Sequence, residues 1–134
     1  MCDEAETDIL FIGDESKLKK DALVNFKKAE HNEKIQFVSD EEVDFNDYDI
    51  IVDAILGIGV QGSLSKGISA VIDDINNSKA YKVAVDIPTG LDPDRGIAVD
   101  KYINADLIVT FHDLKNGLEK MQDKTVVVDI GLSN

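Results

Sequence analysis

Val83-Ala84-Val85-Asp86-Ile87-Pro88-Thr89-Gly90-Leu91-Asp92 is a short apolar run that delivers a carboxylate and then turns. Val83 and Val85 suit the interior of a parallel sheet, and Pro88 and Gly90 stop the backbone from continuing as strand or helix. Asp86 therefore falls where a strand leaves the core. In open α/β sheets ligands gather at those carboxyl ends. Aspartate is also a common turn residue, so this stretch alone is equally consistent with Asp86 capping the turn.

Working outward, the same grammar repeats. Upstream, Asp49-Ile50-Ile51-Val52-Asp53-Ala54 reads as a strand apolar in a row, hence buried on both faces, and it ends in Asp53. Gly57-Ile58-Gly59-Val60-Gln61-Gly62-Ser63 follows, and then Leu64, Ile68, Val71, Ile72 and Ile75 recur at helical spacing until Asn76-Asn77. Ala105 to Phe111 and Thr125 to Ile130 supply two later strands. Ile9 to Ile12, expected to be a buried strand, and Ile35 to Val38, a second short one, come earlier. Between the earlier pair, Leu18, Ala22, Phe26 and Ala29 share a helical face, with lysines on the others. Ser39 to Asp47 reads as an acidic connection with room for one helical turn. Alternation of this kind, without repeat or linker, predicts one α/β domain over residues 1–134 with a doubly wound, mostly parallel sheet in a three-layer, Rossmann-like sandwich.

Composition narrows the function classes. A formal net charge of -13 with no Lys/Arg-rich run argues against nucleic acid and anionic membrane surfaces, since phosphate backbones bind basic patches. A small anionic ligand stays compatible, because backbone N–H groups act at contact while distant carboxylates are screened over ~8 Å. The single cysteine, Cys2, permits no internal disulfide, and the acidic first residues are the opposite of a secretory leader. No apolar run is long enough to span a bilayer. A soluble, cytoplasmic protein is the expectation.

Three constellations carry candidate chemistry. Gly57-x-Gly59-x-x-Gly62 matches the dinucleotide fingerprint between strand and helix, but Ala54, Ile55 and Leu56 separate it from the strand, where the Rossmann arrangement places the first glycine almost directly. Glycines there still let backbone approach a phosphate. Asp53 and Asp86 end two strands expected to be neighbours, and such a pair suits cation binding or proton transfer, with a structural pair of turn caps as the other reading. Oxygens around Thr89 are hard donors of the kind a simple cation accepts. Lys115 follows a strand at the same rim, within reach of an anionic ligand or merely at the surface. His31 and His112 are isolated and assigned no role, and no serine sits in a G-x-S-x-G turn.

Four separated motifs together resemble the YjeF N-terminal domain, the NAD(P)H-hydrate epimerase family. Val52-Asp53-Ala54-Ile55-Leu56-Gly57-Ile58-Gly59 resembles its V-D-A-L-F-G-T-G, and Val85 to Asp92 resembles its V-D-I-P-S-G-L-D. Ala105 to Phe111 with Lys115 and Gly117-Leu118 is similar to its A-D-x-T-V-T-F and K-x-G-L, and Val127-Val128-Asp129-Ile130-Gly131 to its closing segment. The resemblance implies interconversion of the R and S forms of hydrated NADH or NADPH at C6 of the nicotinamide ring, a repair reaction in which the dinucleotide is substrate rather than cofactor. It implies potassium at Asp53 and Thr89, the latter in place of a serine. It also implies substrate contacts from Gly57, Ile58, Gly59, Val60, Gln61, Gly62 and Ser63, and contact of Asp86 with the hydrated nicotinamide, where Asp86 would exchange a proton as the hydrate opens and recloses. A fused ADP- or ATP-dependent dehydratase domain in the native gene fits the same family.

One departure lies at the front, where the family's first strand and its N-N-G-G-D phosphate loop have no counterpart. Ile9 to Ile12 resembles the family's second strand. Three large apolar side chains lost from a central strand forgo roughly 5 to 9 kcal/mol of burial, against a net domain stability of roughly 5 to 15 kcal/mol. The expectation is a fragment lacking the first βα unit, or a chain that fills the gap by oligomerising, by rearranging strands or with another polypeptide. A non-catalytic nucleotide-binding or protein-interaction module of the same fold is the main alternative, and a Rossmann-type NAD(P)-binding domain is the third reading.

Overall fold

A computed structural model describes residues 5–57, 64–98 and 100–132, and the chain divides into two compact units, Met1–Val43 and Asp44–Asn134. Cys2 and the loop positions Ile58, Gly59, Val60, Gln61, Gly62 and Ser63 lie outside the described residues.

The first unit is a parallel pair joined by a helix. Strand β1 (Thr7–Leu10) aligns with β2 (Ile35–Val38), Thr7 opposite Ile35 and Leu10 opposite Val38, and helix α1 (Lys20–Glu30) runs between them. The expected strand Ile9 to Ile12 is shifted toward the N-terminus because Phe11 leaves the ladder. Its ring packs edge-on against Phe26 at 5.0 Å, and Phe26 meets Phe37 at 5.1 Å in the same manner. Such edge-to-face contacts add about 0.5–1.5 kcal/mol each beyond burial, so three rings fasten the helix to the pair. Neither β1, β2 nor α1 contains a fully buried residue, contrary to the expectation that the first strand is buried. Leu18 is half-buried but falls before the helix and Ala22 is exposed, so within the helix Phe26 and Ala29 are the half-buried members of the expected face.

The second unit is a four-stranded parallel sheet in the order β3 (Ile50–Asp53), β4 (Tyr81–Val85), β5 (Leu107–Phe111), β6 (Thr125–Val128). Helix α2 (Lys66–Asn77) makes the crossover from β3 to β4. Ser65 starts it by accepting the Ile68 N–H on its hydroxyl, which satisfies one of the orphan donors of the first turn. Val71, Ile72 and Ile75 are its buried stripe. At its far end the Lys82 ammonium, itself buried, donates to the carbonyls of Ser78 and Ala80 at 3.0 Å each and neutralises the negative helix terminus.

Side chains alternate across a strand, so the register sorts them into two faces. Asp53, Lys82, Ala84, Ile108 and Thr110 are buried on one face, where Ile87, Leu91 and Leu118 pack against Ala84 and Ile108. On the other face Ile50 and Val52 are 59% and 56% exposed, and Tyr81, Val126 and Val128 are also exposed, while Val83, Val85, Leu107, Val109 and Phe111 are half-buried. The expectation that β3 is buried on both faces is therefore corrected: its side chains are apolar in a row, but only one side receives a cover among the described residues of its own unit. Among them, too, no helix is long and apolar enough to cross a membrane.

This asymmetry sets two expected outcomes in urea unfolding. Ile108→Ala, at a position with no exposure, should lower stability by about 2–5 kcal/mol. Val126→Thr on the open face should stay within about 0.5 kcal/mol. Equal losses at the two positions would mean that the second face is covered in solution.

Candidate functional site

Strands β3 and β4 end side by side, Asp53 standing in register with Ala84 two residues before Asp86. The turn after β4 then brings Thr89 back onto Asp53. The Thr89 backbone N–H donates to Asp53 Oδ2 at 2.7 Å and its hydroxyl donates to Oδ1 at 2.6 Å, while Thr89 Oγ1 accepts the Leu56 N–H at 3.1 Å. Asp53 is 2% exposed and Thr89 1%. Burial pushes the Asp53 carboxyl above the usual carboxylate value of 3.8, and the bonds from Thr89 and the Ile55 N–H pull the other way without cancelling it. The buried charge is thus hydrogen-bonded but has no basic side chain against it.

Asp86 is held quite differently. It has φ +68, its N–H bonds the Val109 carbonyl of the next strand at 2.8 Å, and the Ile87 N–H returns to the Val85 carbonyl at 2.9 Å. That is a γ-turn of the rarer positive-φ form, a strained geometry for a side-chain-bearing residue and one that Asp, Asn and His tolerate best. β5 ends in the same device: His112 has φ +66, bonds the Val128 carbonyl at 2.9 Å, and is spanned by the Asp113 N–H to the Phe111 carbonyl at 2.8 Å. Two neighbouring strands are thus stopped and turned at the same rim.

Three donors converge on one oxygen of Asp86. Lys115 Nζ lies 2.5 Å from Oδ1, the Thr110 hydroxyl 3.1 Å and the Phe111 N–H 3.3 Å. Burial acts to raise the Asp86 carboxyl, but Lys115, then the Phe111 N–H and Thr110, outweigh it and hold it below the usual value of 3.8. Asp86 is an ionised base at neutral pH. Its side chain and that of Lys115 are each 20% exposed, so the pair is partly desolvated yet open to a ligand.

The site residues read from the sequence are accordingly brought to one rim but not into one cluster. Asp53 and Asp86 each have their own donors and share no hydrogen bond, so no common proton governs them. Gly57 is exposed with open space around it, compatible with a ligand-facing loop. Thr110 was overlooked in the sequence; its signal was a hydroxyl on the inward side of an apolar strand, two positions from Ile108. Behind the rim, Gly90 at φ +90 lets the turn pass so close to Lys101 that a Cβ would stand 2.1 Å from its carbonyl oxygen. Gly96 and Gly117 approach each other as tightly, the Gly117 N–H bonding the Pro93 carbonyl at 2.7 Å. The loops after β4 and β5 are locked together there.

The oxygens of Asp53 and Thr89 have the chemistry of a hard-cation site, and a buried carboxylate lacking a positive partner is what a cation would neutralise. The residues fit a monovalent ion to that extent. The Thr89 hydroxyl donates to Asp53, and among the described residues no three acidic, histidine or cysteine side chains cluster for a metal.

Comparison with known proteins identifies the family. Residues 2–117 match the profile of the family described as YjeF-related protein N-terminus. A bifunctional NAD(P)H-hydrate repair enzyme of Methanothermobacter thermautotrophicus is 46% identical over 104 residues, covering 73% of this chain and 20% of that protein. An NAD(P)H-hydrate epimerase of Oenococcus oeni is 37% identical over 129 residues, covering 92% of this chain and 60% of that protein. The crystal structure of yeast ynu0, YNL200c, shares the fold at a TM-score of 0.60 and 23% identity, over 79% of this chain and 45% of that one. The chain thus spans between about a fifth and three fifths of the length of these relatives.

The two carboxylates give opposite signatures in pH-dependent unfolding. Asp53, raised in the folded state, favours folding below its unfolded value of 3.8, and that contribution is lost as pH rises through its folded pKa. Asp86, lowered, contributes above 3.8 and loses its contribution as pH falls through its folded pKa. Asp53→Asn should therefore remove a gain in melting temperature seen on acidifying from neutral toward pH 4, and Asp86→Asn should soften the loss below it. Thr89→Val should cost about 1.5–3 kcal/mol, as expected when a bond to a charged group is lost, and Thr89→Ser only about 1 kcal/mol.

Proposed function

This chain belongs to the YjeF N-terminal family, and from that premise we propose that it acts in the epimerisation of R and S hydrated NADH and NADPH at C6 of the nicotinamide ring. The observation that carries the proposal is the state of Asp86: a carboxylate at the end of β4, fixed through Oδ1 by Lys115, Thr110 and the Phe111 N–H and kept ionised by them. A group that accepts a proton at neutral pH is what opening of the hydrate requires, since the C6 hydroxyl must lose its proton as the C6–N1 bond breaks. The names of the relatives, NAD(P)H-hydrate epimerase and NAD(P)H-hydrate repair enzyme, support the same reading.

Positioning falls to the rest of the rim. Gly57 to Ser63, between β3 and α2, is proposed to take the phosphates and ribose of the dinucleotide, glycines permitting close backbone approach. Asp53 and Thr89 are the residues that would hold potassium, which would supply positive charge to a buried carboxylate and stiffen the turn carrying Asp86. The bifunctional relatives are longer than this chain, and a dehydratase domain acting on the product is proposed to work beside it.

A second reading, a non-catalytic interaction module, is favoured by one observation, the open apolar face that carries Ile50, Val52 and Val126. The two readings separate in one assay. Hydrated NADPH enriched in one epimer is followed by chromatography with the chain present, in potassium chloride and in choline chloride. The epimerase reading expects conversion above the spontaneous rate, faster in potassium, and a loss of about 10²-fold or more in Asp86→Asn, a substitution the positive φ tolerates. Spontaneous conversion in a folded sample, or full activity in Asp86→Asn, would sink it. Potassium should also raise the melting temperature of the unmodified chain and not that of Asp53→Asn.

A further inference from the structure

We propose that Lys115 is the proton donor of the epimerisation, acting at N1 of the nicotinamide ring while Asp86 acts at the C6 hydroxyl. The assignment rests on the epimerase reading above and deepens it.

The geometry leads there by a count of donors and acceptors. A lysine ammonium has three N–H donors. Two are used, one on Asp86 Oδ1 at 2.5 Å and one on the Phe111 carbonyl at 2.8 Å. Every bond to Asp86 falls on Oδ1, so among the described residues Oδ2 has no donor. The pair therefore offers one unused N–H beside one unused carboxylate oxygen, at the mouth of a rim where both side chains are 20% exposed. The hydrated ring presents the complement, since its C6 carries a hydroxyl, a donor, and is bonded to N1, where an acceptor pair develops as the ring opens. One bidentate contact satisfies all four groups.

The bonds made and broken then balance without a co-reactant. Asp86 Oδ2 takes the hydroxyl proton, the O–H pair becomes the second bond of a C6 carbonyl, the C6–N1 bond breaks, and its pair on N1 takes a proton from Lys115. The open aldehyde rotates about its single bond. Reclosure runs the same steps backwards on the other face: N1 attacks C6, its proton returns to Lys115, and Asp86 gives its proton to the oxygen. Neither a reductant nor an oxidant enters, and the two side chains end as they began. Lys115 is held for this by its own strand end, since it reaches back four residues to the Phe111 carbonyl, just before the γ-turn at His112. The lysine is thus fixed relative to the ladder that fixes Asp86.

The alternative is that Lys115 only positions Asp86. Arginine separates the two roles, for it can keep the ion pair and the bond to the carbonyl but does not give up a proton. In the assay above, Lys115→Met should lower kcat by about 10²-fold with KM changed less than about threefold, and added methylamine should restore part of the loss. Lys115→Arg should stay as slow as Lys115→Met. Near-full kcat in either variant overturns the assignment, and a loss in Lys115→Met that arginine repairs assigns the lysine a positioning role instead. Should Lys115→Met fail to fold, judged by its melting curve, the arginine variant decides by the same criterion. An unmodified chain without activity removes the epimerase reading and this one with it, whereas an active chain with an unaffected Lys115→Met removes this one alone.

Discussion

The second unit depends on a charge placed where water cannot reach it. Asp53 ends a strand with its carboxylate almost wholly enclosed, and an ionised carboxylate in that position is unfavourable by several kcal/mol unless donors meet it. The Ile55 N–H adds a longer bond, and the two shortest come from one residue, Thr89, which lies on the far side of the crossover helix and the next strand. The bond therefore fixes more than a pair of side chains. It sets how far the turn after β4 folds back, and so where Asp86 sits, and through the Leu56 N–H on Thr89 Oγ1 it also fixes the start of the glycine-rich loop. One satisfied carboxylate aligns the base, the loop and the sheet edge.

The second constraint is backbone strain at matched positions. Asp86 and His112 occupy the same place on consecutive strands, each with its N–H on the next strand and each at the centre of a γ-turn. A conformation of this kind costs on the order of 1–3 kcal/mol and survives only where neighbours over-determine it. Here the neighbours are the glycine contacts behind the rim, where Gly90, Gly96 and Gly117 have no room for a side chain. Rigidity behind the rim and an ionised base in front of it are two ends of the same arrangement.

Most of this was legible in the sequence, and the misses share a cause. The order of strands and helices followed from apolar runs and glycine or proline punctuation, and the motif residues Asp53, Asp86 and Thr89 do gather at one rim. Apolar runs say that a segment avoids water, however, not from which side it is covered. Ile50-Ile51-Val52 reads as doubly buried, yet the cover on its second face must come from elements that four residues of local sequence do not encode. Ile9 to Ile12 misplaces a strand because Phe11 serves a ring contact with Phe26 rather than the ladder. The individual hydrogen bonds were invisible for a similar reason: Thr110 and Asp86 are 24 residues apart, and only the β4–β5 register joins them.

The open face of the β3–β6 sheet has a consequence for the chain as a colloid. Ile50, Val52, Tyr81, Val126 and Val128 form a surface that water wets poorly, and in neutral solution what keeps copies of it apart is a net charge of -13. That repulsion vanishes near the isoelectric point of about 4.3. Acidification disarms the surface, and it also favours the protonated form of the Asp53 carboxyl, whose pKa burial raises. Self-association should set in on acidification, and added salt, by shortening the reach of the surface charge, should move that onset toward neutrality.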